Sequence, residues 1–558
     1  MQFQQVWNED LARLTSARVP VSRLRPSKRS AKGRGAQATG RRSALAPREQ
    51  SDGVIDSALS AVRGGRRVQR EREEPGHPTR ATSAHYAEPS PIIRVRSDRR
   101  RRNGCRRPSE SLAVCAGKRR QSPTAQESVV THEISLVNHA SLLHEVGGLR
   151  ILSDPWLSGT VFANGWELVH IDGTTVADLS PDVIWLSHEH PDHFSPTDLK
   201  AVPKPERARI QVITRLETDR KVAEYCRQQG FSVTEMVPHT WIELSSGVRV
   251  MTGCVGTDSW LAVSDGETTV LNLNDCQTTP DVMVEIARLV GPVDLLATQF
   301  SYASWVGNPG DADTPRKAAA NVFAMLAEQI AAVRPRQLLP FAAFVRFGHA
   351  TNAWWNEYAP RVDAAASHFA KGGADVVVLF PGDSHRPGQP GPRDAIARWD
   401  QAYADAEKRP PRRDVESVPV SDMNLAWAQM AQRLRQDNDW PSFVQDLRPH
   451  LEPAVVQLQD LGVRIVHDIF SDELSVLPDS DDWDVTTTSD VFVEVLRNRW
   501  GRGTLTISGR MRLRYATALR FFRQTQLYYS NNLNRSYPES ISKETILAPK
   551  SIALLLVS

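Results

Sequence analysis

Beyond residue 130 the chain is written in two hydrophobic periods, short β-branched runs and longer stripes with apolar residues three or four apart. Residues 133–143 and 148–153 predict paired strands around the turn Gly147-Gly148. Short apolar runs predict further strands at 182–186, 231–237, 248–252, 260–263, 268–274, 293–300, 338–344 and 375–380. Helical stripes lie between them, at 217–229, 281–290, 318–333 and 354–370. Strands interrupted by helices in this way call for an α/β architecture, two sheets facing each other and flanked by helices. The basic, proline-broken stretch 408–413 predicts a linker. Beyond it the pattern predicts helices at 422–436, 442–448, 453–460 and 489–498, alternation around 463–469, a strand at 504–507 and a long Arg-rich helix at 510–529. The expected division is thus a first domain over 131–400 and a small C-terminal α+β domain over 414–535.

Charge changes the picture of the N-terminus. Residues 1–128 carry 28 Lys and Arg against 12 Asp and Glu, so the formal net charge of +3 hides an acidic remainder. That leading segment lacks sustained hydrophobic periodicity and is expected to be disordered. Its arginines, as in Arg99-Arg100-Arg101-Arg102, are not interleaved with aromatics for base stacking, so no nucleic-acid partner is expected. Five cysteines at uneven spacing form neither a disulfide framework nor a C-x-x-C knuckle. No apolar run reaches the length of a membrane span, and a cytoplasmic protein acting on a small molecule, free to form homo-oligomers, is the expectation.

The candidate chemistry is concentrated at Ser187-His188-Glu189-His190-Pro191-Asp192-His193. An apolar strand precedes it, and Ser195, Pro196 and Asp198 after it read as N-cap, first-turn proline and acidic first turn. Three imidazoles and a carboxylate on one strand-to-helix loop exceed what one tetrahedral ion with an open position takes from a single loop. Two divalent ions about 3.5–4 Å apart would use all four, His188 and His190 on one, Asp192 and His193 on the other.

This H-x-H-x-D-H run resembles the signature of the metallo-β-lactamase fold superfamily. The segments Asn138-His139-Ala140-Ser141, Asp154-Pro155-Trp156-Leu157-Ser158-Gly159, Phe162, Gly165-Trp166 and Asn274-Asp275-Cys276 narrow the resemblance. They are similar to the branch of ascorbate-phosphate lactonase-like hydrolases and to the corresponding domain of CMP-N-acetylneuraminate hydroxylases. The resemblance implies a four-layer αββα sandwich over roughly 131–400. It also implies one further ligand per ion and a bridging carboxylate, for which Asp275 fits. Where a histidine would complete the first ion's set the chain offers Cys254 and Asp258, and Asp258 matches the hydroxylase pattern. For the second ion His349 and His385 compete, with His349 ahead, because Pro340 is followed by Phe341-Ala342 where the superfamily usually has its histidine. His139 and Asp154 are expected to orient ligands from behind. A carboxylate in place of imidazole shifts the metal from zinc towards iron or manganese.

The function expected first is hydrolysis of a small-molecule ester, lactone or phosphodiester by a metal-bound hydroxide, with zinc as the leading metal and Asp275 and Asp192 as the catalytic carboxylates. The alternative is a di-iron oxygenase like the sialate hydroxylases. Against it, residues 1–128 contain no paired C-x-H and C-x-x-H for a Rieske cluster. A metal-stabilised, non-catalytic binding module is the third class. The C-terminal piece resembles a sterol-carrier-type domain, which implies an apolar tunnel or a dimer surface.

Overall fold

The computed structural model describes residues 132–217, 220–477 and 481–548; the basic segment 1–128 lies outside them. A seven-stranded sheet runs in the order Ser384–His385, Glu133–Asn138, Ser141–Val146, Leu149–Ser153, Val183–Leu186, Gln211–Arg215 and Ser232–Met236. Its first four strands are antiparallel, and from Leu149–Ser153 onward the pairing is parallel. A six-stranded sheet follows the order Gln337–Phe341, Leu295–Gln299, Thr269–Asn274, Asp258–Ser264, Val248–Val255 and Ile242–Ser245.

The two sheets face each other. Ile151, Val183, Trp185 and Ile213 of the first pack with Val248, Val250, Leu261 and Val263 of the second in one buried cluster. On the outer face of the first sheet Leu152, Ile184 and Val212 meet Leu199, Val222 and Tyr225 of the helices Pro196–Ala201 and Lys221–Gln228. The helices Pro280–Val290, Asp313–Val333 and Val362–Lys371 cover the second sheet through Met283, Ile286, Leu326 and Phe369. Helix, sheet, sheet, helix is the four-layer α/β sandwich expected from the resemblance. Parallel strands buried on both faces read as continuous apolar runs, which is why Val183-Ile184-Trp185-Leu186 has no polar alternation.

Residues 420–548 form helices around a five-stranded sheet, in the order Ser475–Leu477, Val463–His467, Ala454–Leu458, Val485–Thr487 and Arg512–Leu513. Three sequence expectations fail here. Residues 453–460 hold a central strand, Ala454–Leu458, because Val456 and Leu458 find partners on both sides, and buried pairing outweighs the helical spacing. Residues 504–507 belong to the helix Gly501–Ser508. Its first residue touches the backbone of the helix Ser489–Arg497 so closely that an added Cβ would meet Glu494 O at 2.1 Å, and this docking overrides the β-branched composition. The helix expected at 510–529 begins only at Leu519, after the short strand Arg512–Leu513.

This C-terminal part is stitched to the sandwich. Trp166 Nε1 donates to Ile507 O at 3.0 Å, Asn352 Nδ2 to Ser508 O at 2.6 Å, and Trp305 N to Thr506 O at 2.9 Å. One hydrophobic cluster contains Trp156, Phe162 and Trp166 together with Trp427, Phe492 and Phe521. Among the described residues no helix is long and apolar enough to cross a membrane.

Candidate metal centre

The site forms where three strand ends meet: Asp154 after Leu149–Ser153, Ser187 to His193 after Val183–Leu186, and Asn274 and Asp275 at the end of Thr269–Asn274. Two of these turns are tight enough to hold non-glycine residues at positive φ, Asp154 at 37° and Asn274 at 56°. Asp and Asn are among the side chains that tolerate this region, and such conformations cluster at functional sites. Beyond the loop, Ser195 caps the helix Pro196–Ala201 by accepting from Asp198 N, with Pro196 in the first turn. The loop is thereby anchored at both ends.

Two groups of ligand atoms converge. His188, His190, Asp258 and Asp275 form one and His139, Asp192 and His193 the other, with the atoms of each group within 4.8 Å of one another. Asp275 lies between them, its Oδ2 3.8 Å from His188 Nε2 and 3.4 Å from His193 Nε2. Asp258 Oδ1 is 3.6 Å from His188 Nε2, whereas Cys254 is exposed and belongs to neither group. His139 Nε2 and His193 Nε2 stand 3.4 and 3.3 Å from Asp192 Oδ2.

Behind the ligands lies a fully buried network centred on Asp154. Asp154 accepts from Ser187 N at 2.8 Å, Ser187 Oγ at 2.7 Å, Asn274 Nδ2 at 2.6 Å and His193 Nδ1 at 3.1 Å. Ser187 Oγ in turn accepts from His188 Nδ1 at 2.9 Å. Both rings are therefore held with Nδ1 occupied and Nε2 turned into the site, the arrangement by which outer groups orient metal-binding imidazoles.

The donor set fits metal ions on two further observations. His139 Nδ1 and Nε2, Asp192 Oδ1 and Asp275 Oδ1 are buried without a hydrogen-bond partner, an expensive condition that cations would relieve. Burial also lowers the pKa of His139, His188 and His190, so these imidazoles are neutral and need lose no proton on ligation. His193 goes the other way: burial opposes its charge, but Asp192 and Asp275 hold it well above the usual histidine range. Burial and the neighbouring Asp275 push Asp258 up to about 7, the strain of crowded carboxylates that a cation would discharge.

Of the sequence-predicted residues, His188, His190, Asp192, His193, Asp258 and Asp275 come together and His349 does not. His349 follows the strand Val345–Phe347, whose pairing with Trp166–Leu168 carries the chain away from the strand ends. Its ring Nδ1 instead meets Thr351 Oγ1 at 2.8 Å within the same turn, and its backbone N donates to Asn352 Oδ1 at 3.0 Å. His385 is likewise remote, bonded to Gln337 Oε1 at 2.9 Å in an edge strand. The place in the second group falls to His139, expected only as an orienting residue. The reason is geometric: Ala342 N donates to His139 O at 3.0 Å, so the 138–141 turn lies against the strand end that lacks a histidine. The missing histidine after Pro340 signals in the sequence that a donor from elsewhere stands there, but only this tertiary contact singles out His139.

If Asp258 is a ligand, Asp258→Ala should lower the metal content of purified protein by about one ion per chain on the reading of two sites. Cys254→Ala should leave it unchanged in the same elemental analysis.

Comparison with known proteins places this geometry in a family setting. Residues 133–296 match the family model described as a beta-lactamase superfamily domain. The chain is 27% identical over 261 residues to the cytidine monophosphate-N-acetylneuraminic acid hydroxylase of Danio rerio, covering 42% of this chain and 42% of the relative. It is 26% identical over 268 residues to the corresponding Xenopus laevis protein, covering 45% and 44%. The matches thus span less than half the length of these relatives. Among solved structures, CmlA, a diiron beta-hydroxylase from Streptomyces venezuelae, aligns with 18% identity and a TM-score of 0.33, covering 46% of this chain and 54% of that one.

Proposed function

We propose that the beta-lactamase superfamily domain of this chain is a metal-dependent enzyme centre in which two ions share Asp275, and that it hydroxylates a small molecule. His188, His190 and Asp258 would hold one ion and His139, Asp192 and His193 the other. The observation that carries the reading is the place of Asp258 beside His188, where the superfamily pattern has an imidazole. With Asp192 and Asp275 it makes three hard oxygen donors among seven ligands, a set that favours iron or manganese over zinc. The relatives named as hydroxylases support the reaction proposed.

Bound iron would supply the redox chemistry: dioxygen takes two electrons and two protons, one oxygen atom enters a substrate C–H bond and the other leaves as water. The electrons would come from an iron–sulfur or flavin carrier. The chain's own residues provide the rest. Asp154 and Ser187 fix the ring orientations of His193 and His188. Phe162, Trp500 and Ile507 line an apolar pocket against His188 and His190, and there they exclude bulk water from the reacting carbon.

Hydrolysis of an ester, lactone or phosphodiester is the second reading. A wider opening of about 740 Å³ beside His188, Asp258 and Arg215 favours it, since it would admit the attacking water. Elemental analysis and a visible spectrum of protein purified without added metal decide between them. Two irons with an oxo-bridge absorption, and dioxygen uptake driven by a reductant, are the expected result. Two colourless zinc ions with turnover of bis(p-nitrophenyl) phosphate would replace hydroxylation by hydrolysis.

A further inference from the structure

The pocket beside the metal ligands has a volume of about 240 Å³, and its two walls come from distant parts of the chain. His188 to Pro191 and Phe162 make one wall; the other is built from the helices Gly501–Ser508 and Leu519–Asn532. Most of that second wall is apolar or aromatic, through Trp500, Ile507 and Phe522. Arg502 is set into it with 2% of its surface exposed.

The guanidinium of Arg502 is held in place. Its Cζ lies 4.0 Å from the ring centre of Tyr529 and its Nη1 donates to Gln526 Oε1 at 2.6 Å. Burial lowers its pKa to about 10, which leaves it cationic at neutral pH but short of hydration. A desolvated guanidinium fixed by stacking is the fitting recognition group for an oxyanion, because little side-chain freedom remains to be lost on binding. Glu189, the acidic side chain among those lining the pocket, is engaged by Lys221 Nζ and Asn532 Nδ2, each at 3.2 Å. Its charge is matched locally and does not repel an incoming anion.

We infer that this pocket takes a small molecule with an apolar body and one oxyanion, carboxylate or phosphate, and that Arg502 holds the oxyanion while the body lies against Phe162, Trp500 and Phe522. The inference rests on reading the adjoining cluster as an enzyme site and names the substrate class of that site. An apolar body in an aromatic slot supplies affinity, and a single charged contact sets the direction in which the molecule presents its carbon to His188 and His190.

Calorimetric titration of the full chain, as purified with its metals, tests the assignment using 4-phenylbutyrate, phenyl phosphate and the neutral 4-phenylbutanamide. At least one of the two anions should bind about tenfold or more tightly than the amide. Arg502→Gln should erase that preference while its metal content stays that of the unaltered protein. Equal binding of anions and amide by the unaltered protein overturns the inference, and that comparison decides alone should Arg502→Gln fail to fold. A preference that survives in folded Arg502→Gln also overturns it, since the anion is then captured elsewhere, at the metal ligands included. Protein that carries no metal as purified yet shows an Arg502-dependent preference would uphold the pocket and count against the metal-enzyme reading instead.

Discussion

Asp275→Ala is expected to release metal from both groups at once and to reduce turnover by at least about 10²-fold, the lower range for removing one preorganised charged group. Among the described residues Asp275 is the one carboxylate within 4 Å of a ring nitrogen in each group, through His188 and His193. Loss of Asp258 or His139 should instead weaken one position. The stability change separates this from misfolding. In metal-free protein burial opposes the charge of Asp275, but His193 and His188 hold its carboxyl well below the usual carboxylate range, while its charge helps to raise Asp258. Metal-free Asp275→Ala should therefore lose, above the ordinary carboxylate pKa, the stability those histidine contacts contribute, yet still unfold cooperatively. With metal present the parent should gain stability by mass action and the variant should not. A variant that kept a full complement of metal in elemental analysis would exclude Asp275 as the shared ligand.

The second large effect is expected behind the site. Asp154→Ala removes the acceptor for Ser187 N, Ser187 Oγ, His193 Nδ1 and Asn274 Nδ2 in a position with no solvent exposure. Stranding that many buried donors, one of them on a histidine that Asp192 and Asp275 keep charged, should cost about 3–5 kcal/mol in metal-free protein. Urea unfolding in chelator measures it. Metal affinity should fall by a further factor of about 10–100, as for other groups that orient ligand imidazoles. Asp154→Asn keeps the volume and some acceptor capacity, so it should lose less stability than alanine yet most of the same affinity. Equal unfolding curves for Asp154→Ala and parent would mean that the network is replaceable by water.

The central loop was legible because its ligands are adjacent in sequence and its flanks have unmistakable local signals: four apolar residues before it, Ser195 and Pro196 after it. Asp258 and Asp275 could be read from strand ends once the family pattern was recognised. His139 could not be promoted from sequence, since its position depends on a tertiary contact, the bond between Ala342 and its own carbonyl. His349 misled for the converse reason: it follows a strand, but one paired with Trp166–Leu168, where Trp166 bonds to Ile507 in the joint with the C-terminal part. The errors at 453–460 and 504–507 share that origin. Both stretches are short and apolar, so local pattern is neutral between strand and helix, and the neighbour each one packs on decides.

The two walls of the pocket beside His188 have different origins along the chain. Every ligand discussed lies between His139 and Asp275, whereas Arg502, Phe522 and Tyr529 arrive from more than two hundred residues later. On the proposed reading, reaction chemistry and choice of substrate are encoded in separate stretches, and drift in residues 500–533 would retune what is accepted without disturbing the metal-holding residues. The shared cluster around Trp166 and Phe521 sets the limit: the later stretch can vary in its pocket-facing side chains, but it cannot be exchanged as a cassette without unpacking the sandwich it leans on.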